Sequence, residues 1–194
     1  MKIVLASASP RRAMLLRQIG VDFVVKESRF AELTAEKLPP EELARQNAIG
    51  KAVSVYRDGS PPVLAADTAV AIGNEVFGKP CGTSDAMDML RRLSGREHRV
   101  ITGVCLIYRG KQYCLSETTR VLLRLLTEGE IAAYVATGES FGKAGSYAIQ
   151  GLGALLVKKI DGCYSNVVGL PLMCVVELLK EAGINFAYKK SAAG

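Results

Sequence analysis

Apolar runs and amphipathic stretches alternate along the chain, and this pattern predicts strands and helices in turn. Apolar runs rich in β-branched residues and alanine predict strands at residues 3–6, 23–25, 63–72, 75–77, 100–108, 112–126 and 155–160. Apolar residues three or four positions apart predict helices at residues 11–19, 39–56, 83–94, 128–136 and 170–181. Residues 138–153 are rich in glycine and predict an irregular segment. Because the two kinds of element alternate unevenly, we expect an α/β fold with a mixed, partly antiparallel central sheet flanked by helices.

Cap and turn residues support several of these boundaries. Ser9 can cap the first helix, with Pro10 at its first position. The pair Gly73-Asn74 predicts a tight turn and therefore a hairpin between the strands on either side. Thr83 or Ser84 can cap the third helix, which Gly95 can end.

Length and composition indicate an ordinary globular protein. The chain has 194 residues, of which 49% are hydrophobic and 23% are charged. This favours one domain over residues 1–194, with two closely packed lobes and an active site in the cleft between them as the alternative. The five cysteines lack C-x-x-C spacing, which argues against a zinc site and suits a reducing compartment. No apolar run is long enough for a signal peptide or a membrane span, so we expect a cytoplasmic protein without a membrane partner.

The formal net charge of +6 fits an anionic ligand, although a solvated surface with excess lysine would give the same value. The basic residues are scattered and aromatic residues make up only 6% of the chain. Nucleic-acid binding surfaces usually combine clustered basic residues with stacking aromatics. We therefore expect no nucleic-acid partner.

Several common catalytic patterns are absent. Gly110-Lys111 lacks the upstream glycine and the following hydroxyl of a P-loop, and no G-x-S-x-G sequence occurs. His98 is the only histidine, and we expect it to have an ordinary surface or strand-end role. With one histidine, any metal must be held by oxygen ligands, which favours Mg²⁺ or Mn²⁺.

The segment from Ser7 to Arg12 is the first candidate site. It lies where the first strand leads into the first helix, and it contains Ser7, Ser9, Arg11 and Arg12. Free backbone N–H groups and the helix dipole at such a junction favour a bound phosphate, as do two hydroxyls and two guanidiniums. A plain helix cap with two exposed arginines is the alternative.

Asp67 is the second candidate, because it is a carboxylate within an apolar strand. Burial of such a group is costly unless it is paired, bound to metal or at the strand's end, where it would act only as a cap. Lys79 follows the predicted hairpin, which can bring it back near Asp67. An acid that orients water and a cation that takes up phosphate charge suit phosphoryl chemistry, and a surface salt bridge is the alternative.

The glycine-rich loop at residues 143–153 is the third candidate. Its glycines allow close approach of the backbone to a ligand, and Gln150 offers both a donor and an acceptor for a base edge. A flexible loop without a role is the alternative.

Together these segments resemble the Maf family of nucleotide pyrophosphatases, from residue 5 to residue 172. The resemblance is carried by L-A-S-A-S-P-R-R at 5–12, A-A-D-T at 65–68, G-K-P at 78–80, M-L-R-R-L-S-G at 89–95, T-G-V at 102–104 and V-G-L-P at 168–171. It implies a fold similar to that of other α/β enzymes that hydrolyse non-standard nucleotides, the inosine-triphosphatase-like enzymes. It also implies release of a nucleoside monophosphate and pyrophosphate with a divalent cation.

The resemblance implies roles for individual residues. The family's general base falls on Asp67, and its phosphate-binding lysines fall on Lys79 and Lys51. Many relatives have Asp-Glu where this chain has Ala31-Glu32, so only Glu32 carries over as a metal ligand beside Asp67. Relatives also often have Asp where this chain has Gly142.

The family's base preference is implied by three further positions. The branch that acts on dTTP and UTP is matched here by Arg12, Thr68 and Gln150. The branch that acts on 7-methyl-GTP usually has Trp after the proline, and this chain contains no Trp.

We therefore expect Mg²⁺- or Mn²⁺-dependent hydrolysis of dTTP and UTP. Asp67 would act on the water, and Ser7, Ser9, Arg11, Lys51 and Lys79 would bind phosphates. The family also suggests a link to arrest of cell division. Hydrolysis of 7-methyl-GTP or another modified nucleotide is one alternative, and a non-catalytic nucleic-acid-binding or division-regulating module is another. A homodimer is compatible with this expectation.

Overall fold

A mixed sheet with helices on both faces forms the protein in the computed structural model, which describes residues 1–34 and 38–185. The strands are β1 (Ile3–Leu5), β2 (Phe23–Val25), β3 (Val63–Ile72), β4 (Glu75–Phe77), β5 (Glu97–Tyr108), β6 (Lys111–Leu123) and β7 (Val157–Asp161). The helices are α1 (Pro10–Gln18), α2 (Pro40–Val55), α3 (Thr83–Leu93), α4 (Glu128–Ala136), α5 (Tyr164–Val168) and α6 (Leu172–Glu181). The predicted α/β class with a partly antiparallel sheet is confirmed.

The strand order is β2-β1-β3-β5-β6-β7, and β4 pairs with β3. Strand β1 is parallel to both of its neighbours, β2 and β3. From β3 onward each strand is antiparallel to the next, in the order β3, β5, β6 and β7. One edge of β3 is shared by two short strands, because β1 pairs with it at Val63 and Leu64 and β4 pairs with it from Val70 onward. Residues 65–69 of β3 therefore have no strand partner on that edge in the described part of the chain.

Alternation of side chains along β3 and β5 divides the core between the two faces of the sheet. Helix α2 covers one face, where Ala48, Ala52 and Val55 pack on Ala65 and Cys105. On the opposite face, one cluster joins α1 and α6 to Leu64, Ala66 and Val104. A second cluster on that same face joins α3 and α4 to Val70, Val100 and Val121. The polar residue Thr68 lies between the two clusters, so the apolar core is interrupted there.

Several element boundaries differ from those predicted. Strand β5 begins three residues earlier than expected, at Glu97, and β6 ends at Leu123, where its register with β7 shifts. The third helix begins at Thr83 but is capped by Gly82, so neither Thr83 nor Ser84 is the cap. Two short 3₁₀ helices, Ala144–Ser146 and Gly151–Leu156, and helix α5 were not predicted, because pieces of three to six residues show no periodicity. In the ranges 1–34 and 38–185, no helix is both long and apolar enough to cross a membrane.

Candidate functional site

A pocket of about 390 Å³ lies at the free stretch of β3, between the end of β1 and strand β4. It is bounded by the start of α1, by α2, and by the loops at residues 27–32 and 142–150. All the side chains proposed from the sequence line it: Ser7, Ser9, Arg11, Arg12, Glu32, Lys51, Asp67, Thr68, Lys79 and Gln150. The fold thus brings together residues that are up to 143 positions apart in the chain, from Ser7 to Gln150.

Arg12 is fixed by three hydrogen bonds and is only 9% exposed. Its Nε donates to the Gly169 carbonyl at 2.7 Å, one terminal nitrogen donates to Ser7 Oγ at 3.2 Å, and the other donates to Thr68 Oγ1 at 3.0 Å. Burial lowers the pKa of Arg12 from its ordinary value, an effect that Asp67 partly opposes. An arginine stays protonated in proteins even so, and its remaining N–H groups can donate to a ligand in the pocket.

Arg12 and Thr68 belong to a longer polar chain across the sheet. Thr68 Oγ1 lies 2.9 Å from Thr102 Oγ1, and Thr102 in turn donates to the Asn166 carbonyl at 3.3 Å. Asn166 is fully buried and donates to the Val100 carbonyl at 2.9 Å. These buried bonds hold Thr68 in one orientation, since a lost partner would leave a buried polar group unsatisfied. The sequence interpretation missed this support, because Asn166 lies in the unpredicted helix α5.

Asp67 projects from the opposite face of β3, toward α2. Its Oδ1 pairs with Lys51 Nζ at 2.5 Å, and its Oδ2 accepts from Asn47 Nδ2 at 3.2 Å. Lys51 also contacts Glu32 at 2.6 Å, and Lys79 contacts Glu32 at 3.4 Å. The hairpin thus brings Lys79 into the same pocket as Asp67, as expected. The two do not pair with each other, because Lys79 pairs with Glu32 and Asp67 pairs with Lys51.

The charge state of Glu32 is set by these lysines. Burial opposes its ionisation, but the hydrogen bond and the charge of Lys51, followed by those of Lys79, outweigh burial and lower the pKa of Glu32. Two carboxylates, Glu32 and Asp67, therefore face one ammonium group at the floor of the pocket.

The same two carboxylates fit a magnesium-type cation. Mg²⁺ is commonly held by one or two carboxylates, with water and substrate phosphates completing its coordination. Residues 1–34 and 38–185 contain no group of three or more His, Cys, Asp or Glu side chains arranged for a metal. The donor set consequently suits a cation that is shared with a phosphate ligand more than a metal caged by protein alone.

The start of α1 supplies the cationic side of the pocket. Ser9 is the cap residue, as predicted, but its hydroxyl makes no capping bond, and its N–H donates to Ser7 Oγ at 3.2 Å. Burial lowers the pKa of Arg11, an effect that Tyr134 and Glu139 partly oppose. In the described part of the chain, Arg11 forms no salt bridge, so its charge remains available to an anion.

Lys143 is a second cation whose charge is available to an anion in the pocket, and the sequence interpretation overlooked it. It lines the pocket and donates to the backbone carbonyl of Glu139. Burial, and next the neighbouring charge of Arg11, lower its pKa. The Glu139 carboxylate is occupied elsewhere, because it accepts from the N–H groups of Leu152 and Gly153 at 3.0 and 2.8 Å. Glu139 thereby fixes the loop that follows Gln150, and Lys143 keeps its charge for the pocket.

His98 lies beneath the pocket and is not a surface residue. It is the second residue of β5, is 2% exposed, and its Nε2 lies 2.7 Å from the hydroxyl of Tyr147, which lines the pocket. The strand-end position was expected, but not the burial, because the neighbouring residues are polar. Burial lowers the pKa of His98 to about 4 from its ordinary value of 6.5.

Acid is therefore expected to destabilise the protein through His98. Between pH 6.5 and 4 the unfolded chain binds a proton that the folded protein excludes, so stability falls as the pH falls through this window. The full shift corresponds to a loss on the order of 3 kcal/mol. Urea unfolding at pH 7.5 and 4.5 measures the loss, and His98→Gln, which does not titrate there, should lose less. An equal loss in both proteins would contradict this account.

Comparison with known proteins places the chain in a family. Residues 2–182 match the family model described as Maf-like protein, and the chain belongs to this family. A dTTP/UTP pyrophosphatase of Gloeobacter violaceus is 54% identical over 181 residues, which cover 93% of this chain and 95% of that protein. A dTTP/UTP pyrophosphatase of Thermosipho africanus is 46% identical over 189 residues, which cover 97% of each. The Staphylococcus aureus Ham1 protein, a solved structure, has a TM-score of 0.44 and 14% identity, and the match covers 63% of this chain and 72% of that chain.

Proposed function

We propose that this protein hydrolyses dTTP and UTP to the nucleoside monophosphate and pyrophosphate. The observation that carries the proposal is the position of Asp67 and Thr68 at the free edge of β3. Their side chains point to opposite faces of the strand, one to the Lys51–Glu32 cluster and the other to Arg12. One nucleotide lying across this edge can place its phosphates at the acidic cluster and its base at the arginine. The relatives named dTTP/UTP pyrophosphatase support the substrate.

Asp67 is the proposed proton acceptor. Its Oδ1 is held by Lys51, and its Oδ2 keeps a lone pair beside the Asn47 bond, so it can accept a proton from a water in the pocket. The water oxygen would then bond to the α-phosphorus, and the bond between that phosphorus and the bridging oxygen would break. Pyrophosphate leaves with the bonding electrons.

Positive side chains would stabilise the charge on the triphosphate. Lys51 and Lys79 lie on the side of the carboxylates, whereas Arg11, at the start of α1, and Lys143, on the loop at residues 142–150, interact with each other in the same pocket. Ser7 and Ser9 add hydroxyl groups, and the free N–H groups of the helix start add further donors. A divalent cation, Mg²⁺ or Mn²⁺, held by Asp67 and Glu32 would neutralise phosphate charge and polarise the phosphate oxygens.

A pyrophosphate-release assay with a panel of nucleotides tests the reaction. dTTP and UTP should be hydrolysed, and 7-methyl-GTP should be a poor substrate. In ¹⁸O-labelled water the label should enter the monophosphate, because attack occurs at the α-phosphorus. Label in orthophosphate, or no turnover of any nucleotide with either cation, would exclude the proposal.

Base choice is expected to depend on Gln150 together with Arg12 and Thr68. A buried polar group that bonds one base is left unpaired by another, so dTTP and UTP should exceed ATP and GTP by more than about tenfold in kcat/KM. Gln150→Glu should erode this ratio more than it lowers the best rate. Gln18→Glu, an exposed substitution at the end of α1, is the matched control. Equal efficiency on purine triphosphates in the unmodified protein would contradict the assignment.

We also propose that the protein works in the cytosol. Cys81, Cys105, Cys114, Cys163 and Cys174 are all free thiols, as expected in a reducing compartment.

A further inference from the structure

The segment that carries Glu32 is attached to α2 at three points. Ser28 Oγ lies 2.8 Å from Ser54 Oγ, and the Phe30 ring packs on Gly50, where an added Cβ would come within 2.3 Å of the ring. Leu33 is bound by Asn47. The attachment points on the helix are three or four residues apart, so they share one face. We call residues 28–33 the α2 strap.

Asn47 provides the attachment nearest to Glu32. It is 3% exposed, its Oδ1 accepts from Leu33 N at 2.7 Å, and its Nδ2 donates to Leu33 O at 3.3 Å. The same Nδ2 group donates to Asp67 Oδ2 at 3.2 Å. The opposite amide orientation would place the oxygen of Asn47 against the Asp67 carboxylate and the Leu33 carbonyl, so the surroundings permit only this one.

Glu32 depends on this attachment for its position. In residues 1–34 and 38–185 its side-chain partners are Lys51 and Lys79, and 42% of its side chain is exposed. The pair with the exposed Lys79 holds geometry weakly, and Lys51 is shared with Asp67. The backbone bonds of the adjacent Leu33 are therefore the firmer restraint on where the Glu32 carboxylate lies.

We propose that Asn47 is a positioning residue that sets the Glu32 carboxylate against that of Asp67, so that both can hold one divalent cation. One side-chain amide binds the Asp67 carboxylate and both backbone groups of Leu33, which links the two acids although they lie on different segments. The inference rests on the proposed function only for which reaction the cation serves. The role of Asn47 in cation binding can be measured without that reaction. Outer-shell partners of this kind orient the ligands of metal sites.

Asn47→Leu tests the link, because leucine fills a similar volume without making any of the three hydrogen bonds. Mn²⁺ affinity is measured without nucleotide, from the free-ion electron paramagnetic resonance signal, and should weaken about 10- to 100-fold. With saturating Mn²⁺, kcat for dTTP should fall by more than about tenfold, while KM for the nucleotide changes by less than about threefold. Circular dichroism and the Tm establish that the variant is folded, and Asn47→Ala replaces it if it is not.

Ser54→Ala is the matched control, since it releases the far end of the α2 strap on the same helix face without touching Asp67. It should leave Mn²⁺ affinity and kcat within about twofold of the unmodified protein. In an Asp67→Asn background, Asn47→Leu should weaken Mn²⁺ binding little further, because the partner carboxylate is already lost.

Two results would overturn the proposal. One is a folded Asn47→Leu protein that keeps Mn²⁺ affinity within about twofold. The other is an equal loss in Asn47→Leu and Ser54→Ala, which would make the strap a general support without a special role for Asn47. If no nucleotide is hydrolysed while Mn²⁺ still binds, the proposed function fails, and the Mn²⁺ measurements alone decide the role of Asn47.

Discussion

Asp67→Asn is expected to reduce turnover of dTTP by at least about a thousandfold, because it removes the proposed general base, which is also a charged ligand of the proposed cation. The substitution keeps the shape of the side chain. It can also keep the contact with Lys51 through the amide oxygen, although the other end would then present N–H groups to Asn47. A small change in stability and a very large change in kcat are therefore expected together.

Single-turnover kinetics with radiolabelled dTTP measure this loss without interference from product release. Asp58→Asn is a suitable control, because Asp58 is an exposed residue in the turn before β3. Retention of most of the kcat in a folded Asp67→Asn protein would show that another group accepts the proton.

Lys51→Met is expected to lower kcat/KM by about a hundredfold or more, since it removes a cation that the proposed reaction places beside the triphosphate. The Lys51 and Asp67 side chains are only 11% and 14% exposed. Without Lys51, the largely buried carboxylate of Asp67 has no cationic partner in this pair. The loss should cost up to about 3 kcal/mol of stability. Glu32 loses its nearer cation as well and keeps its pair with Lys79.

Divalent cations distinguish the two effects of this substitution. Mn²⁺ should raise the Tm of Lys51→Met by more than it raises that of the unmodified protein, because the metal can replace the missing ammonium between the two acids. Activity should not return, since the triphosphate still lacks its lysine. Arg45→Met, on the exposed side of α2, controls for loss of a positive charge on this helix. Full activity in Lys51→Met would show that the lysine has a structural role only.

The parts of the fold with strong local signals could be predicted from the sequence. The apolar run of β3 and the turn at Gly73 identified the hairpin, and Pro10 after Ser9 identified the start of α1. Helix α5 could not be identified, because five residues give no periodicity and its Asn166 is stabilised by partners on β5 and β6. The burial of His98 was missed for a similar reason, since it depends on Tyr147, 49 residues away, whereas the expected strand-end position is correct.

The sequence by itself determined which chemical groups are available. The serines and arginines at 7–12, the acid at 67, the lysine at 79 and the glutamine at 150 could each be read as a candidate ligand of a nucleotide from the local pattern, whereas Lys51 was added only by the resemblance to the Maf family. Asn47 was not identified from the sequence, although it lies one helical turn before Lys51 and therefore on the same face of the helix.

Only the tertiary structure decided which of these groups meet. Lys51 pairs with Asp67 because α2 packs on the face of β3 to which odd-numbered residues point, and Arg12 meets Thr68 because α1 packs on the other face. The free edge between β1 and β4 exposes both side chains to one pocket. Such contacts depend on strand pairing and helix packing between distant segments, which the local sequence around each residue does not encode.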